Sequence, residues 1–145
     1  MDIVRILENI CNDLDYGFHY GNKSHLNLID QNGNLAPDKT HLLLFPPTRN
    51  KANNSDVSRT YRGNFFFVRP DEFAQDYFNN TDSSETNNKY ETKIEPLITA
   101  LNSLETRLEY CDNMDVLTFD SIDAVDVLDA NLSGLWVTYN VKVYE

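Results

Sequence analysis

The sequence is short of positive charge. Its 145 residues carry 12 lysines and arginines against 23 aspartates and glutamates, a formal net charge of −11. A nucleic-acid binder usually presents a basic groove that neutralises phosphates, so this composition argues against phosphate binding. Acidity of this size keeps a protein soluble and repels anions. It also suits two narrower roles: a wall past which nucleic acid slides without sticking, and a decoy that imitates nucleic acid.

Cysteine and long apolar runs are scarce as well. The two cysteines, Cys11 and Cys111, form no CxxC or His/Cys cluster, which argues against a structural zinc site. Both fall on the apolar stripe of a predicted helix, and we interpret them as reduced core thiols of a cytoplasmic protein. No run of about 18 apolar residues is present, so we expect no transmembrane helix. The opening residues 1–5 lack a basic stretch before an apolar core, so we expect no secretory signal.

Catalytic motifs are missing too. The sequence contains no GxSxG elbow, P-loop, HExxH or GxGxxG. The segment from Asp30 begins like a calcium loop, but Leu35 stands where the sixth-position glycine belongs and His41 where the twelfth-position glutamate belongs. We therefore expect no catalytic residue, no cofactor and no metal site.

Two polar groups nevertheless admit a metal. One is an acidic run made of Asp112, Asp115, Asp120, Asp123, Asp126 and Asp129. Paired carboxylates can bind Mg²⁺ for phosphoryl or nuclease chemistry, but a spacing of three fits neither face of a strand, so a solvated strand-and-turn region is the better interpretation. The other is His19, His25 and His41, which fall in three different predicted strands. They could converge as a metal triad or as general bases, although isolated strand histidines are more often pairing or surface residues.

Periodicity in the first half of the chain predicts one helix followed by strands. Apolar residues recur at helical spacing from Asp2 to Leu14, with Asp2 as the N-cap. Short strands are predicted next, at residues 18–20, 26–29, 41–45 and about 59–68. Polar loops are predicted at about 48–58 and 79–89, and residues 71–78 could form a short helix.

The second half predicts a longer helix and the strands that close the sheet. Apolar residues recur in steps of three and four between Tyr90 and Cys111, and Pro96 lets this helix begin as late as Lys93. Strands are predicted at 115–119 and 122–128, with a bulge near residues 124–125, and at 135–144, where alternation is most regular. Residues 1–145 are thus predicted to be a single α+β domain, a mainly antiparallel sheet packed with an N-terminal helix and a long central helix.

Consecutive apolar residues in two central strands indicate that both faces of the sheet must be buried against other parts of the protein or another subunit. Residues 42–45 and 65–68 are apolar without a break, and consecutive strand residues face opposite sides of a sheet. Two helices on one side would leave the other side to another subunit; alternatively, the helices divide between the faces or the long loops fold back. Aromatic and arginine side chains are common interface anchors. The predicted subunit-interface residues are Arg59, Tyr61, Arg62, Phe65, Phe67 and Trp136.

Three segments carry a resemblance to a known family: residues 42–47 (LLLFPP), residues 63–68 (GNFFFV) and a closing hairpin at 129–137 (DANLSGLWV). With the order of helices and strands, they make the chain resemble the small tail-completion, tail-terminator and neck proteins of tailed bacteriophages. The resemblance implies a non-catalytic virion subunit, made in the host cytoplasm, that forms a ring commonly of six or twelve copies at the head–tail junction. Its implied neighbours are portal, neck or tail-tube proteins, and DNA would pass through the lumen without specific binding.

Two other functions stay open on the sequence alone. An acidic inhibitor that mimics nucleic acid, directed at a host DNA-processing or defence protein, would show carboxylates spaced like duplex phosphates along one face. A metal-dependent enzyme would use the acidic region between Asp112 and Asp129.

Three features of the sequence agree with the ring that the resemblance implies. Apolar residues on both faces of the strands can supply a head-to-tail interface, negative charge repels phosphates, and polar loops can order on docking.

Overall fold

The computed structural model describes residues 2–22, 39–51, 58–70, 94–125 and 132–144. Several predicted features lie outside these residues: the strand at 26–29, the turn after Asp30, the short helix at 71–78, the loop at 79–89, and the residues His25, Asp126 and Asp129. The described elements, in chain order, are α1 (Ile3–Asp13), β1 (Gly17–Tyr20), β2 (His41–Leu44), β3 (Thr48–Lys51), β4 (Ser58–Pro70), α2 (Glu95–Glu109), β5 (Met114–Val125) and β6 (Leu132–Tyr144).

The six strands form one sheet. Its order is β1-β2-β4-β6-β5, with β3 beside the first half of β4. β1 runs parallel to β2, and every other described pairing is antiparallel. The fold is therefore α+β, as predicted: an N-terminal helix, a mostly antiparallel sheet and a second helix. Among the described residues β5 pairs only with β6, so its far side is an outer edge of the sheet.

Helix α1 follows the predicted pattern closely. Asp2 is its N-cap, and Oδ1 of Asp2 accepts a hydrogen bond from the Val4 amide at 2.9 Å. This bond satisfies one of the amides that the first helical turn leaves without a partner. The buried residues of the helix are Ile3, Leu7, Ile10 and Cys11, which lie on one stripe. The chain turns away at Asp15, whose φ of 60° no helix continues through.

Helix α2 is shorter than the sequence pattern predicts. It spans 15 residues, from Glu95 to Glu109, so it is not the long helix expected between Tyr90 and Cys111. Pro96 lies in its first turn, where the missing amide donor costs nothing. The leucines of its stripe, Leu97, Leu101, Leu104 and Leu108, are buried. Cys111 lies beyond the helix end and is half-buried.

Three predictions about the strands need correction. Thr48–Lys51, predicted as part of a polar loop, is a strand paired with β4. The segments 115–119 and 122–128, predicted as two strands, belong over residues 114–125 to the single strand β5. The bulge expected near residues 124–125 lies instead between Val116 and Thr118.

The core lies between the helices and one face of the sheet. Phe65 and Phe67 of β4 are fully buried there, together with Leu7 of α1 and Leu104 of α2. Val137 of β6 completes this layer. Burying a side chain of this size contributes roughly 1.5–3 kcal/mol, so this face of the sheet is the main source of stability.

Candidate interaction surface

The face of the sheet opposite the helices, here called the second face, carries the alternate residues of the same strands. In β4 and β6 these are the even-numbered residues, since Phe65 and Val137 lie in the core and Phe66 pairs with Trp136. In β2 they are His41 and Leu43. The second face is therefore the surface on which an exposed apolar layer was expected.

Three rings form an aromatic cluster on the second face. The centroids of Phe66 and Trp136 are 4.4 Å apart, and Phe45 lies 5.7 Å from Phe66 and 5.6 Å from Trp136. The two Phe45 contacts are edge-to-face, an arrangement that aromatic quadrupoles favour. All three side chains are half-buried in the isolated chain.

The second face is less open than the sequence predicts. Leu43 and Val68 are fully buried without any second subunit, and His41 is only 3% exposed. The expectation that an isolated chain leaves this whole apolar layer uncovered is therefore wrong at these positions. Among the described residues of this face, a large apolar side chain remains exposed at Ile122 of β5, which is 64% exposed and pairs across the strands with Trp136.

The six predicted interface residues divide between the two faces. Tyr61, Phe65 and Phe67 are buried in the protomer's own core, whereas the prediction places them at a subunit interface; that role stays a prediction. The reason is alternation: odd-numbered residues of β4 face the helices. Arg59 and Arg62 are exposed, and Trp136 is half-buried on the second face. These three remain available to a neighbour.

The outer strand β5 carries most of the described acidic run. Asp112 precedes it, Asp115, Asp120 and Asp123 lie along it, and all four are exposed. Leu117, set out of register by the bulge, is 52% exposed. The outer edge thus combines exposed apolar side chains with carboxylates. Charges of one sign are a common protection of an unpaired strand edge against pairing with its own kind.

The described part of the chain brings two of the three histidines together. Nε2 of His19 lies 3.3 Å from Nδ1 of His41, across the parallel pair β1 and β2. His25 lies outside the described residues. Within the described ranges, no three side chains of histidine, cysteine, aspartate or glutamate form a cluster that could hold a metal.

A cleft that the sequence did not predict lies where α1, the end of α2 and the end of β6 meet. Its volume is about 710 Å³, and its apolar floor includes Ile6, Ile10 and Val143. Nη2 of Arg107 and Oδ2 of Asp13 form an ion pair at 2.9 Å in its wall. One feature of the sequence points to this cleft. Ile6 of α1 lies beside the helix's buried apolar stripe rather than within it, and both Ile6 and Ile10 line the cleft.

Burial raises the pKa of both cysteine thiols. Burial raises the pKa of the Cys11 thiol to about 12. Cys111 lines the cleft, where burial raises its pKa and its Sγ donates to the Arg107 carbonyl oxygen at 3.3 Å. Both thiols therefore stay protonated near neutral pH, and neither supplies a thiolate nucleophile.

Comparison with known proteins adds no assignment. No family model matches the chain, and a search of curated proteins finds none with significant similarity. Among the helices in the described ranges, none combines the length and apolar character needed to cross a bilayer.

Proposed function

We propose that this chain is a non-catalytic structural subunit of a homo-oligomeric ring, of the kind found at the neck or tail end of tailed bacteriophages. The observation that carries the proposal is the outer strand β5, a 12-residue edge bearing two exposed apolar side chains, Leu117 and Ile122. Unpaired edges of this length are ready templates for pairing with another chain. Ile122 also extends the aromatic cluster to the edge through its cross-strand partner Trp136.

The negative charge of the aspartates on β5 favours a basic partner surface over a second copy of the same strand. Two β5 strands paired with each other would bring two copies of Asp115, Asp120 and Asp123 into one contact with no described basic side chain on either strand, and like charges opposite each other are destabilising. The favoured occupant is a different, basic surface of a second copy. Arg62, exposed on the second face of β4, contributes a cation to one.

A contact between two different patches of the same chain is head-to-tail. Such contacts generate closed rings when the rotation between copies closes, which is the assembly that the family resemblance implies. A net charge of −11 fits a ring whose lumen passes nucleic acid without holding it, because carboxylates repel phosphates. Portal, neck and tail-tube proteins are the partners proposed for the two surfaces of the ring.

The geometry does not favour the alternative of a nucleic-acid mimic. At about 3.3 Å of rise per strand residue, Asp115 and Asp120 are roughly 17 Å apart and Asp120 and Asp123 roughly 10 Å. One strand of a duplex carries a phosphate about every 3.4 Å of helix axis. In the described part of the chain, the exposed carboxylates of β5 are thus too sparse to imitate that repeat.

Native mass spectrometry of the purified chain tests the ring. We expect one closed oligomer whose population falls when Asp120→Lys places a cation on β5. The charge-swapped combination of Asp120→Lys with Arg62→Glu should restore assembly, and either change alone should not. Asn12→Lys, which adds a cation on the exposed side of α1, is the matched control and should leave the oligomer intact.

Two results would contradict the proposal. One is a strict monomer at every concentration, alone and when mixed with portal or tail-tube proteins. The other is an oligomer that tolerates Asp120→Lys and Arg62→Glu as well as it tolerates the control, because the charge-directed contact at β5 would then play no part.

A further inference from the structure

Two histidines on neighbouring strands face each other on the second face. The parallel register of β1 and β2 pairs Gly17 with His41 and His19 with Leu43, so His19 and His41 are diagonal neighbours on one face. Their ring centroids are 5.4 Å apart, with the planes inclined at 38°. Nε2 of His19 and Nδ1 of His41 are separated by 3.3 Å.

Gly17 makes this approach possible. It lies directly across from His41, and a Cβ at position 17 would collide with Nδ1 of the His41 ring and lie 2.9 Å from its Cε1. The His41 imidazole therefore occupies the space above the Gly17 backbone, next to His19. His41 is 3% exposed and His19 is half-buried, so the pair is enclosed around His41 and reachable from solvent around His19.

We propose that His19 and His41 form a two-histidine binding site for a divalent transition-metal ion, with Zn²⁺ as the reference ion. Zinc binds imidazole nitrogen at about 2.0–2.1 Å, and a tetrahedral angle at the metal then sets two ligand nitrogens roughly 3.3–3.4 Å apart. The observed separation of 3.3 Å agrees with this spacing. In the metal-free chain the same two nitrogens are within hydrogen-bond distance, one donating and the other accepting, so a bound ion would replace the proton between them.

The donor set decides the class of ion. Neutral imidazole suits zinc, copper and nickel, whereas magnesium and calcium prefer oxygen ligands. Water would complete the coordination on the side open to solvent. The ion would join β1 to β2, and β1 is a four-residue edge strand whose described sheet partner is β2 alone. Binding would therefore stabilise this edge of the sheet whether or not the chain forms a ring.

Calorimetric titration of tag-free protein with ZnCl₂ tests the site. We expect one zinc ion per chain, with affinity at least about tenfold weaker in His19→Gln because one of two ligand nitrogens is lost. His25→Gln removes the remaining histidine of the sequence and is the matched control, with affinity expected to stay at the wild-type value. Absence of saturable binding, wild-type affinity in His19→Gln, or an equal loss in His25→Gln would overturn the site.

A second measurement avoids variants, because His41→Gln removes a buried side chain and can impair folding. Long-range ¹H–¹⁵N spectra of the wild-type protein resolve each imidazole nitrogen. Added Zn²⁺ should shift the ¹⁵N resonances of Nε2 of His19 and Nδ1 of His41 toward those of metal-bound nitrogen and fix the remaining proton of each ring on its other nitrogen. Unchanged resonances for these two nitrogens would show that they share a proton rather than a metal, and would overturn the proposal.

Discussion

The two faces of the sheet are built from alternate residues of the same strands, yet they are buried in different ways. Facing the helices, Phe65, Phe67 and Val137 are fully buried in one layer. On the second face burial changes along the strands: Leu43 is fully buried, Phe66 and Trp136 are half-buried, and Arg62 is exposed. A run of apolar residues therefore does not define a core; the position of the helices decides which of its members are core.

The sharpest test of this difference compares two adjacent phenylalanines. Phe65→Ala should lower the free energy of unfolding by about 3–5 kcal/mol, because it removes a fully buried ring from the helix-covered layer. Phe66→Ala should cost clearly less, about 1–2 kcal/mol, because that ring is already partly in water. Urea denaturation followed by circular dichroism measures both. Equal losses would remove the distinction between the faces.

A smaller effect is expected at Gly134, where β6 lies against the backbone of β4. Gly134 pairs with Val68, and a Cβ there would collide with the Phe67 carbonyl oxygen and lie 2.9 Å from Cα of Val68. Gly134→Ala should therefore cost roughly 1–3 kcal/mol through overpacking. Ala124→Ser, at the position opposite on β5, is the control and should change stability by less than about 0.5 kcal/mol. A thermal melt in which the two variants are equally stable would refute the close approach.

At the start of α1, the contact between Asp2 and Arg49 makes the stability of the fold depend on pH. Nε of Arg49 lies 2.7 Å from Oδ2 of Asp2, and this hydrogen bond holds the pKa of Asp2 below its ordinary 3.8. Because the folded pKa is lowered, the stabilisation is present above about pH 4 and is lost as the pH falls through the folded pKa. Asp2→Ala should cost about 1 kcal/mol at neutral pH, chiefly through the lost cap.

Glu8, a second carboxylate near the start of α1, serves as the control for the stabilisation by Asp2. Glu8 pairs with Arg5 on the exposed surface, so Glu8→Ala should cost no more than about 0.5 kcal/mol. Denaturation curves from pH 7 to pH 2.5 should show the wild type losing its advantage over Asp2→Ala in acid. An advantage that persists at the lowest pH would contradict the role of the Asp2 carboxylate.

The smallest effect on stability is expected at the edge proposed for assembly. Ile122 is 64% exposed, so Ile122→Thr should change the free energy of unfolding of the monomer by less than about 0.5 kcal/mol. The same change should abolish the oligomer in sedimentation velocity if β5 is covered by a neighbour. A large loss of monomer stability would mean that Ile122 belongs to the core of the isolated chain.

How much of this fold is predictable depends on where alternation is regular. Helix α1 and strand β6 follow from apolar spacing alone. Strand β3 was missed because Thr48–Lys51 is polar at every position and lies beside β4 with no apolar face of its own. β5 was divided at residues 120–121, where the polar pair Asp120 and Ser121 interrupts the apolar residues of a strand that is continuous in the structure.

The candidate sites were harder to predict than the fold. Tyr61, Phe65 and Phe67 alternate perfectly, but nothing in the sequence says which face the helices cover. The approach of His19 to His41 depends on a parallel pairing between strands separated along the chain and on the missing side chain at Gly17. The pattern of strands predicts neither, because register between distant segments is set by tertiary packing.

The position of β6 also bears on how the molecule is made. β6 lies between β4 and β5, and its register with β4 joins residues 58–70 to residues 132–144. A nascent chain that has emerged from the ribosome as far as β5 still lacks the strand that links the two parts of its sheet. Folding should consequently be slow and late, because contacts this distant in sequence must close a long loop first. Until β6 pairs with it, β4 presents an unpaired edge and aromatic side chains to solvent, and such surfaces are prone to aggregation.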